Sequence, residues 1–133
     1  MRFLLTILIV CVTATFIGTS CKKDTTAPLQ PREVQFLLYT DKDFTSDDGI
    51  ITFKLSIQNS SNQLLWDSLL APMRIKDIPN PANKLVFEKP VPNDDASLLK
   101  VGFYYSIENV GNSSYLDSFN YGSALKIVNF NFQ

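Results

Sequence analysis

Histidine is absent from this chain of 133 residues, and cysteine occurs twice, at Cys11 and Cys21. Without histidine, Ser-His-Asp and Cys-His catalysis and the usual zinc sites are excluded together. The five glycines are isolated from one another, so no glycine-rich phosphate loop exists. A preponderance of one charge is lacking too. Twelve basic and thirteen acidic residues are interspersed, with no basic stripe to support nucleic-acid binding. No apolar spacing of helical period runs longer than a turn. Serine–lysine catalysis has nothing that places a lysine beside a given serine. Asp94-Asp95 is a carboxylate pair of the kind glycosidases use, but neighbours on a strand point to opposite faces, and on a turn they favour solvation. The chain therefore reads as non-catalytic, and no cofactor is expected.

Long hydrophobic runs are lacking as well, with one exception at the start. Met1-Arg2 is basic, Phe3 to Ile17 is almost unbroken apolar sequence, and Gly18-Thr19-Ser20 are small residues directly before Cys21. Charge, apolar run and small residues in that order are the layout of a secretory leader. The run is short of the roughly 20 apolar residues that a spanning helix needs. Cys11 lies inside it, after Ile9-Val10, and makes a poor cleavage site. With Cys21 directly after the small residues, the segment resembles a bacterial lipoprotein signal. The resemblance implies that the leader, residues 1–20, is removed, that the Cys21 thiol is diacylated and that the new amino terminus is acylated. Each buried methylene contributes about 0.8 kcal/mol, and two or more chains give a stable anchor. The start Cys21-Lys22-Lys23-Asp24 resembles lipoproteins of Bacteroidetes-type bacteria. No aspartate directly follows Cys21, which in such proteins implies delivery to the outer membrane, with either side of it compatible. Asp24-Thr25-Thr26 and Asp67-Ser68-Leu69 resemble the O-glycosylation acceptor sites of that group.

Residues 21–32 are polar, proline-bearing and without periodicity, and read as an extended tether. At about 3.1 Å per residue it would hold a domain on the order of 30 Å from the bilayer. About 112 residues remain beyond Cys21, enough for one domain, assigned to 33–133. With Cys21 acylated, no disulfide is available to the mature chain, so the core alone must stabilise it. Without Arg2, eleven basic residues face thirteen acidic ones, a balance near −2.

The domain reads as strand after strand. Val34, Phe36 and Leu38 alternate with Gln35, Leu37 and Tyr39, a first strand covered largely on both faces. A polar, acidic turn from Asp41 to Gly49 follows. Ile51, Phe53, Leu55 and Ile57 then alternate with Thr52, Lys54, Ser56 and Gln58, one face to a core and one to water. After the turn Asn59-Ser60-Ser61-Asn62, Leu64 to Leu70 reads as a strand with Trp66 in the core, on the same side as Leu64. Pro72, Pro79, Pro81, Pro90 and Pro92 confine the middle of the chain to short edge strands, placed at Met73–Ile78 and Lys84–Lys89. Leu99, Val101, Phe103, Tyr105 and Ile107 mark a second long strand. Asn109 to Gly122, rich in Gly, Asn and Ser, reads as a loop. Leu125, Ile127, Phe130 and Phe132 mark the last strand, with a bulge at Val128-Asn129 where the period breaks.

About seven short strands separated by turns define an all-β fold, a single β-sandwich of immunoglobulin-like type. A membrane barrel would need strands of about 9–11 residues, which the proline-broken middle does not supply. Two binding patterns stand out. Calcium takes six to eight oxygens, and Asp41, Asp43, Asp47 and Asp48 on one loop would supply several, although their spacing is not that of an EF-hand. Tyr104, Tyr115 and Tyr121, near Phe119, are aromatic rings suited to sugar faces or protein partners. The expected function is a non-catalytic outer-membrane lipoprotein, anchored by lipid and acting as an interaction or accessory module for an envelope protein through an exposed edge or loop. The alternative is a lipoprotein that grips a glycan or small ligand through those tyrosines, assisted by calcium.

Overall fold

The computed structural model describes residues 31–92 and 97–133. They form a single β-sandwich of eight strands, with one short 3-10 turn at Ile75–Asp77. The strands are β1 (Glu33–Tyr39), β2 (Ile50–Asn59), β3 (Leu64–Leu69), β4 (Met73–Arg74), β5 (Leu85–Pro90), β6 (Leu99–Ile107), β7 (Gly111–Phe119) and β8 (Leu125–Asn131). One sheet has the order β5-β1-β8, with β1 antiparallel to β5 and parallel to β8. The other has the order β3-β2-β6-β7, and β4 adds to β2 at Ile50 and Ile51. Sequence neighbours β2 and β3, and β6 and β7, are antiparallel partners within this second sheet.

The two alternating runs place their apolar faces as their period dictates. Ile51, Phe53, Leu55 and Ile57 of β2 and Leu99, Val101 and Phe103 of β6 are buried against Val34, Phe36 and Leu38 of β1. Aromatic rings join the sheets: Phe103 stacks on Phe130 at 5.1 Å between centroids, and Phe36 meets Phe103 edge-on at 5.7 Å. Burial of each such ring contributes about 1.5–3 kcal/mol, enough in number to replace disulfides.

Several sequence expectations are corrected by the structure. The stretch from Asn109 to Gly122 is not a loop, because Gly111–Phe119 pairs with β6 over nine consecutive residues. Its pattern was hidden because an edge strand need bury only one end, and Phe119 is its one buried residue. The last strand carries no bulge, since its register with β1 runs unbroken from Leu125 to Asn131. Phe130 and Phe132 are buried as expected, but the first half of the strand has the opposite phase. Val128 and Phe130 point inward, while Leu125 and Ile127 lie on the outer face, 51% and 49% exposed. The irregularity falls in β3 instead, where the register shifts between Ile57 and Gln58. Ile57 then faces Trp66 and Gln58 faces Leu64, so Trp66 packs on the core while Leu64 turns outward. Within Met73–Ile78 only Met73–Arg74 is strand, and Ile75–Asp77 forms the 3-10 turn.

Arg32, the last residue of the expected tether, belongs to the domain. It is 5% exposed, and its guanidinium donates hydrogen bonds to the carbonyls of Ser97 (2.8 Å), Phe119 (3.1 Å) and Asn120 (3.0 Å). It also lies 4.0 Å over the Phe119 ring. Its backbone carbonyl accepts the Val91 N–H, so the chain is fastened to both sheets where it enters the sandwich.

Candidate functional site

The two open sides of the sandwich are closed differently. On the β3–β5 side, Trp66 packs on Phe36 at 6.2 Å, and the Lys89 ammonium lies 5.2 Å over the indole. On the β7–β8 side, Tyr115 packs on Phe130 at 5.2 Å, and Lys126 pairs with Asp117 at 2.5 Å. Lys126 and Asp117 both point inward from edge strands. Inward charges of this kind discourage unwanted sheet growth. The Lys126 hydrogen bond holds the Asp117 carboxyl below its ordinary value.

Among the strand edges of the sandwich, that of β7 is the longest, and its one guarding charge is the inward Asp117. β5 has six residues and ends in Pro90, β3 has six and an interrupted register, and β8 has seven. β7 has nine, with no proline, no lysine and no interruption. Its hydrogen-bond phase follows from its neighbours. A Cβ placed on Gly102 of β6 would overlap the Tyr115 carbonyl oxygen and lie 2.9 Å from the Leu116 Cα, so that carbonyl turns toward β6. The backbone groups of an antiparallel strand alternate in direction. Asn112, Ser114, Leu116 and Ser118 therefore direct theirs away from β6. The Ser118 N–H accordingly donates to the Asp117 carboxylate at 2.7 Å. The N–H and C=O groups of Asn112, Ser114 and Leu116 have no partner among the described residues. Gly102 is what lets β7 approach this closely, since any side chain there meets backbone.

The three candidate tyrosines do not share a surface. Tyr104 lies on the outer face of its sheet, opposite Lys54, where its hydroxyl accepts a hydrogen bond from the Gln58 amide at 2.8 Å. Gln58 also donates to Ser56, and this network covers Ser56 completely. Tyr115 lies on the inner face at the β7 edge, 39% exposed, and Tyr121 stands in the turn between β7 and β8, 76% exposed. An open groove of about 310 Å³ beside Tyr104, bordered by Thr52, Leu69 and Asn112, includes neither of the other two.

The acidic loop likewise does not converge. Asp43 accepts the Thr45 N–H and Asp47 the Gly49 N–H, both as local turns. Asp41 accepts from Gln133, and Asp48 pairs with Lys76 at 2.6 Å and Arg74 at 3.2 Å. These contacts lower the Asp41, Asp43 and Asp48 carboxyls, through the Asn131 side chain, the Thr45 amide and Lys76 respectively. Among the described residues, no three acidic, cysteine or histidine side chains are grouped to hold a metal ion. The four carboxylates of this loop are held in turn and ion-pair contacts.

Cys21, Asp24-Thr25 and Asp94-Asp95 lie outside the described residues. Ser68 of the second glycosylation motif faces Leu55 on the inner side of β3 and is half-buried. Among the described residues no helix is long and apolar enough to cross a membrane. Comparisons with protein-family models, curated proteins and solved structures find no match for this chain.

Proposed function

We propose that this protein is a lipid-anchored, non-catalytic interaction module of a bacterial outer membrane, which takes up an extended strand from a protein partner along β7. The observation that supports this reading is the free β7 edge. It offers nine residues in unbroken register and outward groups at Asn112, Ser114 and Leu116 that have no partner among the described residues, with no proline or lysine and the inward Asp117 as its one charge. An added strand is held by main-chain hydrogen bonds, and side chains at alternate positions set its identity. Leu116, 38% exposed on the outer face, and Tyr115 on the inner face are the flanking side chains it would meet. The anchor and its membrane rest on the resemblance of residues 1–24 to Bacteroidetes-type lipoproteins.

In situ photo-crosslinking tests this. A crosslinker at Leu116, in the full chain in its own membrane, should capture a protein partner in stoichiometric yield. The same group at Leu69, on the outer face of β3, should not. Equal capture from both positions, or none from Leu116, would refute the docking edge.

A further inference from the structure

We infer that the strand added along β7 belongs to a second copy of this chain, paired antiparallel about a two-fold axis at Tyr115. The inference rests on the reading of β7 as a docking edge and identifies its occupant.

A two-fold pairing needs an edge complementary to its own reverse, and β7 meets that requirement. With the axis at Tyr115, Ser114 faces Leu116 of the second copy, and Leu116 faces its Ser114. Both residues direct N–H and C=O outward, so each pair exchanges two hydrogen bonds in the manner of an antiparallel ladder. Every outward group of Ser114 and Leu116 is satisfied by this one operation. Asn112 faces Ser118 of the second copy, whose carbonyl accepts while its N–H stays with Asp117.

The side chains agree with the backbone. Asp117 is the only charged residue of β7, and in this register it faces Ser113 of the second copy, so no like charges oppose. Tyr115 faces its own symmetry mate at the close, non-hydrogen-bonded position, where aromatic pairs across strands are favourable. Its ring already packs on Phe130, which stacks on Phe103, so the pairing extends an existing aromatic row across the axis. The two four-stranded paths β3-β2-β6-β7 become one continuous sheet. Two copies anchored in one membrane would meet at raised effective concentration, which adds to the contact the edge makes by itself.

The test uses the protein extracted from its own membrane and purified in detergent, with Cys21 common to all variants. Tyr115→Cys brings two thiols together at the axis, where facing Cα atoms lie about 4.5 Å apart, inside the range a disulfide accepts. Ser113→Cys, on the same face, does not face itself. Mild oxidation should convert Tyr115→Cys to a covalent dimer in preference to Ser113→Cys and to the unsubstituted chain. Without oxidation, the unsubstituted chain should sediment at twice its mass. Ser114→Pro, which removes one outward N–H from an edge position, should sediment as a monomer. If Ser114→Pro does not fold, the disulfide comparison decides. Equal cross-linking of the two cysteine variants, or a monomeric unsubstituted chain, overturns the inference. In the monomeric case, capture of a different protein from Leu116 leaves the docking edge standing and removes only the second copy. A monomer with no capture removes both.

Discussion

Arg32→Ala should destabilise the sandwich by about 3 kcal/mol, although the sequence places that residue in a tether. The buried hydrogen bond from its guanidinium to the Phe119 carbonyl is charge-assisted and contributes about 1.5–3 kcal/mol. The bonds to Ser97 and Asn120 are part-buried, so those carbonyls regain water and add less. The contact with the Phe119 ring adds up to about 2 kcal/mol in a desolvated setting. The contributions share one side chain and do not simply add, which keeps the total near 3 kcal/mol. Against a typical stability of about 5–15 kcal/mol this is a large fraction. For a domain of this size it corresponds to a fall in Tm of roughly 12–24 °C. Urea titration followed by tryptophan fluorescence suits the assay, since Trp66 packs beside Phe36. Arg32→Lys keeps the charge but not the planar fork, and a single ammonium does not span three carbonyls, so it should recover little. An Arg32→Ala variant within about 0.5 kcal/mol of the unsubstituted protein would refute the argument, because exposed tether residues behave that way.

Gly102→Ala forces a methyl into the backbone of β7 and should cost about 2–3 kcal/mol, with faster hydrogen exchange at the Tyr115 and Asp117 amides as the local readout. Val128→Ala should cost about 2 kcal/mol, whereas Ile127→Ala should stay within about 0.5–1 kcal/mol; equal costs in denaturant titration would contradict the assigned phase of β8. The Lys126 hydrogen bond lowers the folded-state pKa of Asp117, so its contribution is present above the ordinary value of 3.8 and is lost as pH falls through the lowered one. Asp117→Asn should therefore flatten the acid limb of the stability profile without altering it near neutrality in slope. Cys21→Ser should leave an unacylated precursor, and fatty-acid labelling that persists in this variant would remove the lipoprotein reading.

The sequence by itself determined the all-β class, the one-domain size and the two central strands. Ile51, Phe53, Leu55 and Ile57, with Leu99, Val101 and Phe103, face the core in alternation, and that period of two is legible although Ser56 and Gln58, expected toward water, are covered on the outer face. It also carries the local pattern at residues 1–21 that resembles a lipoprotein leader, which needs no fold to be read. The edges were decided by tertiary structure. β7 buries only Phe119, so Gly111 to Leu116 has the composition of a loop while its backbone is a strand held by β6. The phase of β8 depended on which side the β2–β6 sheet lies, because Leu125 and Ile127 are as apolar as Val128 and Phe130. Turn contacts and lysines, invisible in the spacing of Asp41 to Asp48, drew those carboxylates apart. Arg32 became a core residue because the end of β7, the turn after it and the chain before β6 converge on it. Local pattern records burial within one strand. The candidate docking edge is a boundary of the sheet, and a boundary exists only once every strand has its neighbours.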